Sequence, residues 1–341
     1  MIDTASNERS LATIQQIAEI KPIKDADSIE LAQILGWQCV IKKGQFLPGT
    51  KAVYFEVDSF LPEDPRYEFL RKSSFRQTEF MGRGFRIKTM RMRGEISQGL
   101  VMPLSDFPEL QKDMDIGEDV TQILNIKKWY VPEVQTNTGV LIGPKPYGVP
   151  TTDEVRVQSA PEMLTYLHNR EFYITTKMDG TSCTVFWKDN EIGCTSRNHN
   201  IKEGSDSLYW KAVYKYNLAE KLGALGKNIA IQGELCGPGI QKNKHRLPDY
   251  SWFVYDIFDL DIKRYYDFEQ IRSLLLELGL ESVPVEQRGD NFNFSLEELL
   301  EMAKGKYSSG IDKEGIVVRS LSPPRVSFKV LNNDALLKDK E

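Results

Sequence analysis

The stretch YITTKMDGTS (Tyr173–Ser182) decides how the second half of this chain is read. Tyr173, Ile174, Thr175 and Thr176 are aromatic or β-branched, which favours an extended strand. Asp179-Gly180 is a turn signal. Between them sits Lys177, a flexible amine at the edge of a turn. Two readings are open: a solvent-facing lysine at a strand end, or a nucleophilic amine aimed into a nucleotide pocket. Lys-x-Asp-Gly alone does not choose between them.

Composition narrows the setting. With 341 residues, the chain is long enough for two domains. A hydrophobic content of 40% and a charged content of 27% describe an ordinary globular protein. No apolar run approaches the length needed to cross a bilayer. The opening MIDTASNERS lacks the basic start and apolar core of a signal peptide. Cys39, Cys183, Cys194 and Cys236 are widely spaced, which disfavours a disulfide framework or zinc knuckle and fits a reducing, cytoplasmic setting. The net charge of -5 argues against indiscriminate nucleic-acid binding. Arg71–Gly94, however, is rich in Arg and Lys, with Glu79 its only acid and Phe75, Phe80 and Phe85 interleaved. That suits either a phosphate-tracking surface or a solvated basic face.

The first part reads as β-rich. LATIQQIAEI, SIELAQIL, GWQCVIKK and KAVYFEVDSFL are short apolar runs separated by turn residues. In the last of them Val53, Phe55 and Val57 alternate with Tyr54, Glu56 and Asp58. Short strands and tight turns predict a small barrel or sandwich, and together with the basic stretch an OB-type barrel over residues 1–131. Residues 132–153 are rich in Gly, Pro and Thr and read as a linker. Residues 154–341 mix strands with helices, which predicts an α+β domain of antiparallel sheets flanked by helices. Ser159 and Glu162 have capping-box spacing, as do Ser295 and Glu298. Ile271, Leu274, Leu275 and Leu278 share a helical face ended by Gly279.

The strand ends of the second part carry a series. Lys177-Met178-Asp179-Gly180 is followed by Ser196-Arg197-Asn198, then GELCGPGIQKN (Gly233–Asn243) and FVYDIFD (Phe253–Asp259). EGIVVR (Glu314–Arg319) and SFKVLN (Ser327–Asn332) close it. In this order they resemble the nucleotidyltransferase motifs shared by polynucleotide ligases and mRNA capping enzymes. The run GEL-x-GPG-x-Q points to RNA ligases. KDADSIELAQILGWQCVIKKGQFLPGTKAVYFEVDSFLP and TMRMRGEISQGLVMPL are similar to the N-terminal OB module of the Deinococcus–Naegleria type of ATP-dependent RNA ligase. The barrel-like sequence precedes the transferase motifs, a layout unlike that of capping enzymes and ordinary DNA ligases.

The resemblance implies an enzyme that seals 3'-OH/5'-phosphate nicks, preferring an RNA 3'-OH strand, through lysyl-AMP and an adenylylated 5' end. It implies Lys177 as nucleophile, with Asp179, Glu234, Glu314 and Lys329 as further catalytic groups. Thr176, Lys177, Gly180, Arg197, Glu234, Tyr255, Val317 and Lys329 are the implied ATP/AMP-binding set: Tyr255 and Val317 sandwich adenine, Arg197 meets the ribose or its phosphate, and Lys329 meets the α-phosphate. Asp179, Glu234 and Glu314 are implied to hold Mg2+ or Mn2+, mainly through water. Lys88, Arg91 and Arg93 are candidates for nucleic-acid or pyrophosphate contacts. The expected partners are ATP and nicked duplex RNA or an RNA/DNA hybrid, with no membrane and no obligate protein partner. The motif after Arg319 departs from the family's Lys-x-Lys pattern, because Ser327 and Leu331 flank a single lysine. Open alternatives are a DNA ligase or other nucleotidyltransferase, and a non-catalytic RNA-binding protein. The three histidines (His168, His199 and His245) match no motif role.

Overall fold

The computed structural model describes residues 9–111, 113–130, 139–204 and 206–338. The chain falls into two compact units. Met1–Glu133 and Gln158–Pro161 belong to the first, and Val134–Val157 and Glu162–Lys338 to the second.

The first unit is built around Lys51–Phe55. This strand pairs antiparallel with Ala12–Gln16 on one edge and with Leu100–Pro103 on the other. Its alternation does not separate core from solvent. Val53 and Phe55 enter one core with Leu61, Tyr67, Phe85 and Phe107. Ala52 and Tyr54 enter a second core with Ile34, Trp37 and Cys39. A strand covered on both faces keeps the two-residue period but loses its polar side. The run also breaks earlier than its sequence suggests: Asp58 adopts a left-handed φ of 70°, and Ser59–Pro62 begins a separate strand. That strand joins a four-stranded sheet with Gly82–Arg86, Phe75–Thr78 and Lys127–Lys128.

The second unit holds two sheets. The larger runs, in spatial order, through Leu141–Pro144, His199–Ile201, Glu191–Thr195, Thr181–Lys188, Ile229–Cys236, Ser251–Asp259 and Arg264–Tyr265. The smaller runs Val285–Gly289, Phe172–Lys177, Gly315–Ser320, Ser327–Leu331. Among the described strands, pairing is antiparallel except for the short strand Glu281–Ser282, and a single parallel bridge joins Arg156 to Lys329. Part of the predicted linker is therefore sheet: Leu141–Pro144 is an edge strand of the larger sheet. Residues 131–138 lie outside the described set.

Helices cover each sheet as their apolar stripes require. Leu208–Lys215, Leu218–Leu225 and Phe268–Leu278 share a core with the larger sheet, and all four predicted stripe residues of the last are buried there. Leu296–Met302 packs on the smaller sheet through Leu299. Its Ser295/Glu298 capping box is formed, and a second, Asp267/Gln270, starts Phe268–Leu278. The Ser159/Glu162 box is not formed. Ser159 ends a 3-10 turn, and its buried hydroxyl has no hydrogen-bond partner among the described residues. The helix Glu162–Leu167 starts without it.

Phe55 is fully buried, with ring centroids 5.9 Å from those of Tyr67 and Phe107. Phe55→Ala is expected to lower stability by about 3–5 kcal/mol. Urea unfolding measures this, and a loss under about 1 kcal/mol would contradict the two-core description.

Candidate active site

Phe172–Lys177 pairs with Gly315–Ser320 so that Lys177 lies opposite Gly315 and Thr175 opposite Val317. Val317 in turn lies opposite Lys329 on Ser327–Leu331. Cross-strand partners point to the same side of a sheet. Lys177, Thr175, Val317 and Lys329 therefore share one face, while Phe172, Ile174, Ile316, Val318, Phe328 and Val330 fill the core beneath the other. The single lysine of the last motif thus faces the same side as Lys177, as do Ser327 and Leu331. Thr176 belongs to the opposite face, where its hydroxyl donates to Glu286 Oε1 at 2.8 Å. Only its backbone is left to meet a nucleotide beside Lys177.

The larger sheet supplies the remaining acid and the aromatic. Glu234 pairs with Ser182 on the strand that follows the Lys177 turn. Between Ile229–Cys236 and Ser251–Asp259 the register slips: Gln232 faces Asp256, but Gly233 faces Val254. Tyr255 is the extra residue of that bulge. A bulge re-aims side chains at a sheet, and here it falls beside Glu234 and on Tyr255. A cavity of about 210 Å³ opens there, lined by residues including Thr152, Gln232 and Tyr255. The Tyr255 hydroxyl lies 3.5 Å from Ser182 Oγ, which contacts Thr152 Oγ1 at 2.8 Å.

Gly180 is explained by proximity rather than by its φ. It is absent from the left-handed residues, but a Cβ built on it would lie 2.3 Å from the Leu235 carbonyl oxygen. Its N–H donates to Glu234 Oε1 at 3.2 Å. The turn and the Glu234 strand are thus pressed together, and any side chain at 180 would separate them.

Lys177 Nζ is 2.7 Å from Glu314 Oε1. Burial pulls its pKa down, but Glu314, Glu234 and Asp179 outweigh that and hold it above the ordinary lysine value. Glu234 shifts the other way. Burial, with Glu314 and Asp179 nearby, pushes it up to about 8 despite the opposing pull of Lys177. The site therefore has more carboxylate than its cations satisfy. That excess suits a divalent cation. Among the described residues no three Asp, Glu, His or Cys side chains lie close enough to ligate one bare ion. The donor set fits an ion that keeps its water shell, as Mg2+ prefers.

Lys329 is held down at about 7, first by burial and then by Lys177 and Arg156. Arg197 is paired through Nε to Asp153 Oδ2 at 3.1 Å and through its terminal nitrogen to Oδ1. Beside that pair, Lys145 is pulled down to about 8, mainly by burial, and donates to the Pro150 carbonyl at 2.8 Å.

Several groups at the site escaped the sequence reading. Lys244 Nζ pairs with Asp179 Oδ2 at 2.6 Å. His245 Nε2 accepts the Asp179 N–H at 3.2 Å, and burial keeps its pKa below the usual value, as suits a neutral acceptor. The Tyr307 hydroxyl donates to the Lys177 carbonyl at 2.7 Å. For Lys244 and His245 the available signal was the basic run Lys242–Arg246 following GPGIQ; Tyr307 had none.

Part of the basic stretch of the first unit is neutralised by nearby acids. Glu63 accepts from both Arg71 and Arg83, Glu68 accepts from Arg71, and both arginines stack on Phe75. These acids precede Arg71, so the window Arg71–Gly94 hid them. Lys88 is lowered by burial and by Arg76 and Arg86, which marks a local excess of positive charge. Arg91 lies on Met90–Met92 and donates to the Gly94 carbonyl, and Arg93 sits exposed in the turn that follows.

An OB-fold domain model matches residues 11–104, and an RNA ligase model matches residues 170–331. Naegleria gruberi RNA ligase with PPi superposes with a TM-score of 0.92 at 37% identity, covering 97% of this chain and 99% of that one. The chain belongs to the RNA ligase family. A mutant of the Naegleria gruberi RNA ligase solved with ATP and Mn gives a TM-score of 0.91 at 37% identity, covering 96% and 98% of the two chains. Another, with AMP and Mn, gives 0.92 at 37% identity, with 97% and 99% covered. No curated protein sequence matches the chain. The ligase has the predicted order, with the OB fold ahead of the transferase domain. Among its described residues, no helix is long and apolar enough to cross a membrane.

Two outcomes follow from the geometry. Gly180→Ala is expected to cost about 1–3 kcal/mol, since a backbone carbonyl occupies the space the methyl needs. A melting temperature unchanged from wild type would contradict the close approach. If Lys329 must be charged to hold a phosphate, ATP binding takes up a proton above pH 7. ATP affinity should then weaken by up to about tenfold per pH unit above 7. Calorimetry from pH 6.5 to 8.5 measures this, and Lys329→Met should flatten the slope. An identical slope in both proteins would show that Lys329 does not bind the anion.

Proposed function

We propose that this ligase seals 3'-OH/5'-phosphate nicks in duplex nucleic acid with an RNA 3'-OH strand, using ATP and Mg2+ or Mn2+. The observation that carries this reading is the grouping of Asp179, Glu234 and Glu314 around the Lys177 amine, with Lys329 on the same sheet face. A stable protein has little reason to bury several acids around a strand-end lysine, because their mutual repulsion and desolvation both destabilise it.

Lys177 is the nucleophile. Its amine attacks the α-phosphate of ATP; a P–N bond forms and the bond to pyrophosphate breaks. Before attack the ammonium loses a proton, and Glu314, at 2.7 Å, is the nearest acceptor. Asp179, Glu234 and Glu314 would hold the divalent ion through water, and the ion would neutralise charge on the α-phosphate. Weakening the carboxylates' hold on Lys177 also favours its neutral, reactive form. Lys329 binds the α-phosphate, Tyr255 and Val317 enclose the adenine, and Arg197 meets the ribose, with Asp153 fixing its guanidinium. The backbones of Thr176 and Gly180 complete the pocket. AMP then passes to the 5'-phosphate, and the 3'-OH displaces it.

Lys88, Arg91 and Arg93 contact nucleic-acid phosphate or pyrophosphate. In support of this, burial and then the field of Arg76 and Arg86 disfavour the charge on Lys88, a cost that an anion would relieve.

Singly nicked duplexes with RNA or DNA on each side of the nick test the substrate claim. Sealing should require ribonucleotides at the 3'-OH side and be tolerant on the other. Equal sealing of an all-DNA nick would replace this reading with a DNA ligase, and no sealing of any nick would replace it with a binding protein.

A further inference from the structure

Tyr307 lies in the loop between Leu296–Met302 and Gly315–Ser320, outside every motif strand. Its ring is buried, and its hydroxyl makes two backbone hydrogen bonds. It donates to the Lys177 carbonyl at 2.7 Å and accepts the Glu314 N–H at 2.9 Å. The ring centroid lies 4.2 Å from that of His245, whose Nε2 accepts the Asp179 N–H. The loop itself is tied, with Tyr307 N–H bonding the Ile311 carbonyl at 2.9 Å and Gly310 N–H bonding the Tyr307 carbonyl at 2.9 Å.

The ladder explains why this matters. Lys177 opposite Gly315 is the last Cα pair between the two strands. One step further, an unbroken ladder would put residue 314 on the face opposite Lys177, because side chains alternate along a strand. Instead the Tyr307 hydroxyl stands between the Lys177 carbonyl and the Glu314 N–H as an inserted rung. The strands part there, and Glu314 turns its carboxylate to the Lys177 amine. Gly315 takes part in the same departure, with a φ of +150° where a Cβ would lie 2.1 Å from the Val330 carbonyl oxygen.

We infer that Tyr307 is a positioning residue for lysine adenylylation: its hydroxyl wedges the end of the ladder so that Glu314 faces Lys177. This rests on Lys177 being the nucleophile. Tyr307→Phe keeps the ring and the His245 stack and removes only the rung. Single-turnover formation of covalent AMP on the enzyme should be followed over a range of ATP concentrations, with ATP affinity measured separately by calorimetry. The rate constant at saturating ATP should fall roughly ten- to a hundredfold, the scale of a small misplacement of reacting groups. ATP affinity should stay within about threefold. A wild-type rate constant in Tyr307→Phe, beside an inert Lys177→Ala, would overturn the role of Tyr307 alone. Equal losses of rate constant and affinity would mean general damage and would also overturn it. Covalent labelling of Lys177→Ala would overturn the nucleophile assignment instead.

Discussion

The pairing of Phe172–Lys177 with Gly315–Ser320 is the constraint on which the site depends. Its register puts Lys177 opposite Gly315, so the amine and the Glu314 carboxylate emerge at the same ladder end. A one-residue slip would turn Lys177 into the core beneath the sheet and bring Thr176 to the reactive face. The register is held from below by Phe172, Ile174, Ile316, Val318 and Phe328, all buried in one cluster. Placement of the Lys177 amine is thus a by-product of ordinary core packing. The same β-branched residues that satisfy the core fix the direction of the one flexible lysine.

Around that fixed point the electrostatics are unbalanced. Glu234 is pushed up to about 8 and Lys329 down to about 7. Each shift is a destabilising burial that a bound counter-charge would relieve. By linkage, the Glu234 contribution weakens the folded state as pH rises from the ordinary carboxylate range through 8, because the unfolded chain gives up that proton earlier. The Lys329 contribution weakens it as pH falls from the ordinary lysine range through 7, because the unfolded chain then holds a proton the folded one rejects. Near neutrality both strains are present together, and a divalent ion and a phosphate would relieve them.

Much of this was legible in the sequence, and the exceptions have physical reasons. Strands such as Phe172–Lys177 and Thr181–Lys188 follow from β-branched runs bounded by turn signals, and local chemistry sets their ends. The motif order assigned Lys177, Glu234 and Glu314 to strand ends, where the structure has them. The Tyr255 bulge was not legible, because it arises from a register mismatch between two strands and not from either alone. Lys244, His245 and Tyr307 were missed because their partners lie far away in the chain: 66 residues separate His245 from Asp179, and 130 separate Tyr307 from Lys177. The alternation in Lys51–Phe55 does not reveal that both faces are buried, since a single strand carries no record of what covers its second side. Asp179-Gly180 signals a turn, but the glycine itself answers to the near carbonyl of Leu235, which no local pattern shows.

The central claim is that Lys177 carries the AMP. Mapping the adenylylated residue by mass spectrometry, after incubation with ATP and Mg2+ and proteolysis under conditions that spare a P–N bond, tests it directly. The account predicts one AMP per chain, on the peptide containing Lys177, and its loss when pyrophosphate is added back. AMP found on Lys329, Lys244 or Lys145, or on no lysine at all, would contradict it.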